Sequence, residues 1–145
     1  MQVEEFQIVL TESALQIAAC YPVMQQLRPH LTDCQKFVDQ VQRQLADGYH
    51  LAGVYVQNQP CSLIGYRYLE FLAWGKVLYI DDLISSAEYR QKGYASQLLN
   101  WVIEQAKAKE CDQVHLDSGP LRHDAHRLYL NSGFKIIGHH FALEL

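Results

Sequence analysis

The residues that most plainly suggest chemistry are Arg90-Gln91-Lys92-Gly93-Tyr94-Ala95, which follow a run ending in Leu83-Ile84-Ser85 and open an amphipathic stretch. A strand, a short polar loop and a helix start in that order aim several free backbone amides at one point, where the helix dipole adds positive potential. A diphosphate is the natural occupant. Gly93 permits close backbone approach and unusual dihedrals, and Ala95 is small enough to leave room beside an anion. The turn lacks the three glycines and later carboxylate of a dinucleotide fingerprint, and the Gly-Lys-Ser/Thr ending of a triphosphate loop, so NAD and ATP are disfavoured. A second feature is Asp81-Asp82, two carboxylates inside a run of strand formers from Val77 to Ser85.

The elements that must position these groups follow from periodicity. Glu5 to Leu10 alternates as a first strand, and Ser13 to about Leu27 carries a ragged helical stripe that Pro22 is expected to kink or split. Thr32 is the expected N-cap of a second helix, with Phe37, Val38, Val41 and Leu45 at helical spacing up to Asp47-Gly48. Tyr49 to Gln57 and Cys61 to Phe71 read as a hairpin turned by Asn58-Gln59-Pro60. Beyond Gly93, the residues Ala95, Leu98, Leu99, Val102, Ile103 and Ala106 mark the strongest helix, with Lys107 and Lys109 suiting its C-terminal dipole. Gln113 to Ser118 is a further strand, Asp124 to Asn131 a short helix, and Phe134 to Gly138 and Phe141 to Leu145 are two closing strands. Strands alternate with helices in the second half and run consecutively in the middle. That order predicts an α/β fold: one mixed sheet of about six to seven strands with about four helices on its two faces.

Composition bounds the function. At 145 residues the chain suits a single domain, 1–145. Apolar residues make up 49% and charged residues 19%, with no apolar run long enough to span a membrane, which predicts a soluble protein. The opening Met1-Gln2-Val3-Glu4-Glu5 is unlike a secretory signal, and four scattered cysteines suit a reducing compartment, so a cytoplasmic location is expected. A net charge of -4 gives no footprint for nucleic acid. His115, His123, His126, His139 and His140 lack the companions of a metal signature, and no metal is expected. Tyr66, Tyr68, Phe71 and Trp74 read as packing more readily than as lining of a substrate cleft.

Two motifs carry a family resemblance. Tyr89-Arg90-Gln91-Lys92-Gly93-Tyr94-Ala95-Ser96-Gln97-Leu98-Leu99 resembles the R/Q-x-x-G-x-G/A cofactor segment of the GNAT N-acetyltransferases, and Ala125-His126-Arg127-Leu128-Tyr129-Leu130-Asn131-Ser132-Gly133-Phe134 resembles their closing helix. The element order fits the family over essentially the whole chain, although the N-terminal half matches by pattern alone.

The resemblance implies that acetyl-CoA is the co-substrate. Its pantetheine arm would run along Leu83, Ile84 and Ser85 on a strand splayed from its neighbour, and its pyrophosphate would meet the turn Arg90, Gln91, Lys92, Gly93, Tyr94, Ala95 and Ser96, mostly through backbone. It also implies a primary amine as acceptor, attacked in a ternary complex, with Tyr129 near the sulfur as proton donor or thiolate partner. The glutamate that most often serves as base in the family falls on Tyr79, so that role does not carry over. Asp81, two residues on, is the candidate base, acting directly or through water, and Asp82 is expected to face the other way. Asp117 is a weaker alternative. A different acyl group, or a non-catalytic acyl-CoA-sensing module suggested by Tyr79, are the competing readings. Dimerisation is common among related enzymes, but no residue here specifies an interface.

Overall fold

Four strands, β1 Gln7–Leu10, β2 Tyr49–Val56, β3 Gln59–Phe71 and β4 Gly75–Ser85, pair antiparallel in that order in the computed structural model, which describes residues 5–145. The β2–β3 turn is Gln57-Asn58, with φ of 50° and 63°. Two consecutive positive φ values suit the right-handed twist of a tight hairpin. Gln59 and Pro60, expected in the turn, lie in β3 instead, where the register shifts opposite Val54 and Tyr55. Proline is tolerated at such an irregularity because a ladder bond is already lost there.

Helix α1, Ala14–Leu27, begins at a capping box formed by Ser13 and Gln16 and runs through Pro22 without a break. Its anchored start and the buried stripe Ile17, Cys20, Val23 and Met24 outweigh the backbone bond that Pro22 removes. Helix α2, Cys34–Ala46, is capped by Asp33 rather than Thr32: the carboxylate accepts from the Lys36 amide at 3.0 Å. Both helices pack on Leu51, Leu63 and Ile84 to form the core of one sheet face.

Helix α3, Tyr94–Ala108, buries Tyr94, Leu98, Leu99, Val102 and Ala106, and its Trp101 meets Tyr66 edge-on at 6.0 Å. Tyr66 lies an odd number of residues from Leu63 on β3, so α3 covers the opposite face from α1 and α2. The chain then returns as β5, Gln113–Leu116, the edge strand next to β4, through the helical crossover that a parallel neighbour requires. The sheet is therefore mixed, with order β1-β2-β3-β4-β5.

The residues divide into two compact units, one ending at His115 and the other spanning Leu116–Leu145. In the second, α4 His123–Asn131 ends in a reverse turn: the Phe134 amide donates to the Tyr129 carbonyl at 3.0 Å, and Gly133 has φ 94°. The Tyr129 and Phe134 rings stand 6.0 Å apart. This capping pattern requires a glycine in the left-handed region and rewards an apolar residue after it, which is why Gly133-Phe134 closes the helix. The two closing strands expected over 134–145 are not formed among the described residues. Ile136, Ile137, Phe141, Leu143 and Leu145 are all largely exposed, and the sheet has five strands among the described residues rather than six or seven. Cys20 and Cys61 are buried, Cys111 is half-buried and Cys34 is exposed, and no described helix is long and apolar enough to cross a membrane.

Candidate functional site

The middle of β4 carries a bulge. Gly65 of β3 pairs with Asp82 and Tyr66 pairs with Ile80, which leaves Asp81 as the extra residue. A bulge breaks the two-residue alternation, so Asp82 does not face away from Asp81 as strand geometry predicted. Both carboxylates are reached from the face that carries Tyr49 and Arg67, themselves cross-strand partners. Arg67 Nε donates to Asp81 Oδ1 at 3.1 Å, and Arg67 Nη2 to Oδ2 at 2.6 Å, a two-pronged ion pair. Tyr49 donates to Asp82 Oδ2 at 2.7 Å, while Arg28 Nε and Nη2 donate to Oδ1 at 3.1 and 2.9 Å. Arg28 Nη2 also donates to the Asp81 carbonyl at 3.0 Å. Burial pushes the Tyr49 phenol well above its ordinary range, and the negative Asp82 pushes it further in the same direction.

Leu83, Ile84 and Ser85 pair on one side with Ile64, Leu63 and Ser62. On the other side β5 has four residues and begins just after Asp112, whose amide donates to the Lys76 carbonyl at 2.7 Å. A strand that short, starting beside Lys76, ends well before Leu83. The C-terminal part of β4 thus has a backbone edge that β5 does not reach.

The chain then makes one 3-10 turn, Ala87–Tyr89, before α3. Gln26 of α1 braces this loop: its Oε1 accepts from the Ala87 amide at 2.9 Å, and its Nε2 donates to Ser86 Oγ at 3.2 Å. Gln91 has φ 64°, and Gly93, the N-cap of α3, has φ 83°. A Cβ on Gly93 would meet nothing within 4 Å, so the glycine is required by its dihedral, not by crowding. No described side chain caps α3. The first-turn amides of Tyr94, Ala95 and Ser96 have no intrahelical acceptors and point out of the helix start, which makes an anion cradle. Lys92 Nζ lies 5.2 Å from the centre of the Tyr89 ring, beside Arg90.

In the second unit Tyr129 is buried. Burial pushes its phenol up, against the opposing pull of the Arg122 guanidinium, so the hydroxyl keeps its proton at neutral pH. Ser118 Oγ is the buried side-chain oxygen that has no hydrogen-bond partner among the described residues. His140 and Asp117 approach each other at 3.4 Å. No described group of His, Cys, Asp and Glu side chains is arranged to hold a metal.

The structure brings Asp81, Leu83, Ile84 and Ser85 together on β4 and collects residues 90–96 at the head of α3. Sequence reasoning missed Arg28, Tyr49, Arg67, Gln26, Arg122 and Ser118. Contacts such as Arg28 to Asp82, 54 residues apart, leave no local signal in the sequence. Of the aromatic residues, Tyr66 is buried, and Trp74 stacks on His115 at 4.2 Å.

Residues 14–134 match the family model described as the acetyltransferase (GNAT) family. The chain is 32% identical over 121 residues to the uncharacterized N-acetyltransferase YhdJ of Bacillus subtilis, covering 82% of this chain and 84% of that protein. Among solved structures, the aminoglycoside N-acetyltransferase AAC(6')-Iy in complex with CoA superposes with a TM-score of 0.85 at 14% identity, covering 99% of this chain and 97% of that one. The ribosomal-protein-alanine N-acetyltransferase of Brucella melitensis gives 0.84 at 12% identity, covering 97% and 99%.

Proposed function

Because the chain belongs to the GNAT acetyltransferase family, we propose that it moves an acetyl group from acetyl-CoA to a primary amine, of a small molecule or of a protein, by direct attack in a ternary complex. The observation that carries the donor half of this reading is the uncapped start of α3 behind Gly93, placed directly after a strand whose last residues β5 does not reach. In the proposal, the amides of Gln91 to Ser96 hold the pyrophosphate, Lys92 and Arg90 add charge, and the pantetheine amides bond along the backbone of Leu83, Ile84 and Ser85. CoA bound to AAC(6')-Iy supports the choice of ligand.

The amine must attack unprotonated, the tetrahedral oxyanion must be stabilised, and the leaving thiolate must be protonated or hydrogen-bonded. Tyr129 is assigned the last task, since its buried phenol is held in the protonated form. Asp81 is assigned proton removal from the amine, directly or through water. The competing reading, favoured by the two-pronged contact from Arg67, is that Asp81 serves as an ion-pair partner and solvent takes the proton. Asp81→Asn separates them: a lost acidic limb in the pH profile of kcat/KM supports the base, and an unchanged profile supports the ion pair.

The chain is read as one domain over 1–145 working as a homodimer, the latter supported by the exposure of Phe141 and Leu143. Light scattering at the mass of one chain would refute the dimer. The decisive test of the activity is release of free thiol from acetyl-CoA across a panel of amines, with mass detection of the acetylated product; no turnover with any amine would refute it.

A further inference from the structure

The β4 bulge is held by directional bonds from three side chains outside the strand, Arg28, Tyr49 and Arg67. Asp82 has both oxygens committed, one to Tyr49 of β2 and the other to Arg28, and its side chain is only 15% exposed. Arg28 is the C-cap of α1, its own amide donating to the Met24 carbonyl at 2.9 Å, so its side chain ties the end of that helix to the strand. The same guanidinium takes the carbonyl of Asp81, the extra residue itself. Tyr49 reaches Asp82 through the space where a side chain at position 65 would begin: a Cβ on Gly65 would lie 1.7 Å from the Tyr49 hydroxyl. Gly65 is the cross-strand partner of Asp82, so the absence of a side chain there is what lets the phenol pass.

A bulge needs such ties because slipping by one residue would restore regular pairing while turning every later side chain to the other face. A nearly buried carboxylate is an expensive way to fill a core, since apolar residues of similar size hold sheets and helices together without the desolvation cost. What an ion pair adds is direction: it fixes one register and rejects its neighbours.

We propose that Arg28 and Tyr49, acting through Asp82, are positioning residues that lock β4 in its bulged register and thereby set which backbone groups of Leu83–Ser85 meet the acyl-CoA arm. This inference rests on the reading of β4 as the arm's partner strand. The side-chain hydrogen bonds described for the two residues go to Asp81 and Asp82 on β4 and not to residues 90–96, so their effect is expected on the arm and not on the nucleotide.

The test uses calorimetry on the full chain with two probes: CoA, and 3′-phosphoadenosine 5′-diphosphate, which is the nucleotide half without the arm. For Tyr49→Phe and for Arg28→Gln the Kd for CoA should rise about tenfold, the loss expected for one bond to a charged group. The Kd for the nucleotide should stay within about twofold, because helix-start amides supply its contacts. Arg28→Lys, which keeps the charge but not the fork, should recover part of the loss. Equal weakening of both probes, or no weakening of CoA, overturns the inference. If Tyr49→Phe fails to fold, Arg28→Gln, altering a side chain 41% exposed, decides alone. Wild-type chain that binds neither probe refutes the donor-site reading and the inference with it. Wild-type chain that binds both, alongside variants that match it, refutes the inference alone.

Discussion

At the residue scale, Tyr129 and Ser118 make different demands. Removing the Tyr129 hydroxyl takes away a proton donor but little packing, so Tyr129→Phe should lower kcat on the order of 100-fold while leaving the KM for acetyl-CoA nearly unchanged. Steady-state kinetics measure the split, and unchanged kcat would remove Tyr129 from the acid role. Ser118 is the opposite case, because its buried hydroxyl has no hydrogen-bond partner among the described residues. If a bound acyl-CoA satisfies it, Ser118→Ala should raise the KM for acetyl-CoA roughly 3–10-fold and leave the free protein as stable or more stable by about 1 kcal/mol. A lower melting temperature with unchanged KM would contradict that. Tyr129 was legible in the sequence through its place in a motif. Ser118 was not, since whether a serine is satisfied depends on neighbours that no local pattern reveals.

At the element scale, the helix start at Gly93 shows what sequence conveys well. The amphipathic spacing after Gly93 and the run before Ser86 announced a strand, loop and helix, and the structure adds that the dihedral of Gly93 sets the geometry of the turn. Gly93→Val should strain the left-handed position by about 1–2 kcal/mol and weaken CoA at least tenfold, read by thermal melting and calorimetry together. Retained CoA affinity would refute the cradle. The β4 bulge shows what sequence conveys poorly. Ile80-Asp81-Asp82-Leu83 reads equally well as a regular strand, because the extra residue is defined by the register of β3 and not by any property of β4. The Asp33 cap and the Gln57-Asn58 turn were missed more narrowly. In each, a neighbouring residue with similar local chemistry won the position.

At the scale of the whole molecule, the five strands and the presence of helices on both sheet faces follow from the periodicities, whereas which helices share a face and the state of 134–145 do not. Strand-forming composition there describes a capacity to pair, and pairing needs an edge. The buried and half-buried tyrosines give the molecule a common response to alkali. Burial pushes up the phenols of Tyr49, Tyr66, Tyr68 and Tyr129, and that of Tyr55 to about 12. A raised folded-state pKa means the folded chain holds protons that the unfolded chain releases. Their contribution to stability is therefore full below about pH 10, the unfolded value, and is lost as pH rises through the folded values. Denaturant midpoints should fall between pH 9 and pH 11, and Tyr55→Phe should flatten that fall; equal midpoints at both values would contradict the assignment.

The segment 134–145 has a kinetic consequence. Backbone amides outside helices and strands trade their hydrogens with solvent quickly, while those in β2, β3 and β4 wait for larger openings. Deuterium uptake over 135–145 should therefore be complete within the shortest labelling time in dilute solution, while the Phe134 amide, bonded to the Tyr129 carbonyl, exchanges more slowly. It should slow as protein concentration rises if a second copy of the chain covers Phe141 and Leu143, so that one labelling series reads both local order and self-association.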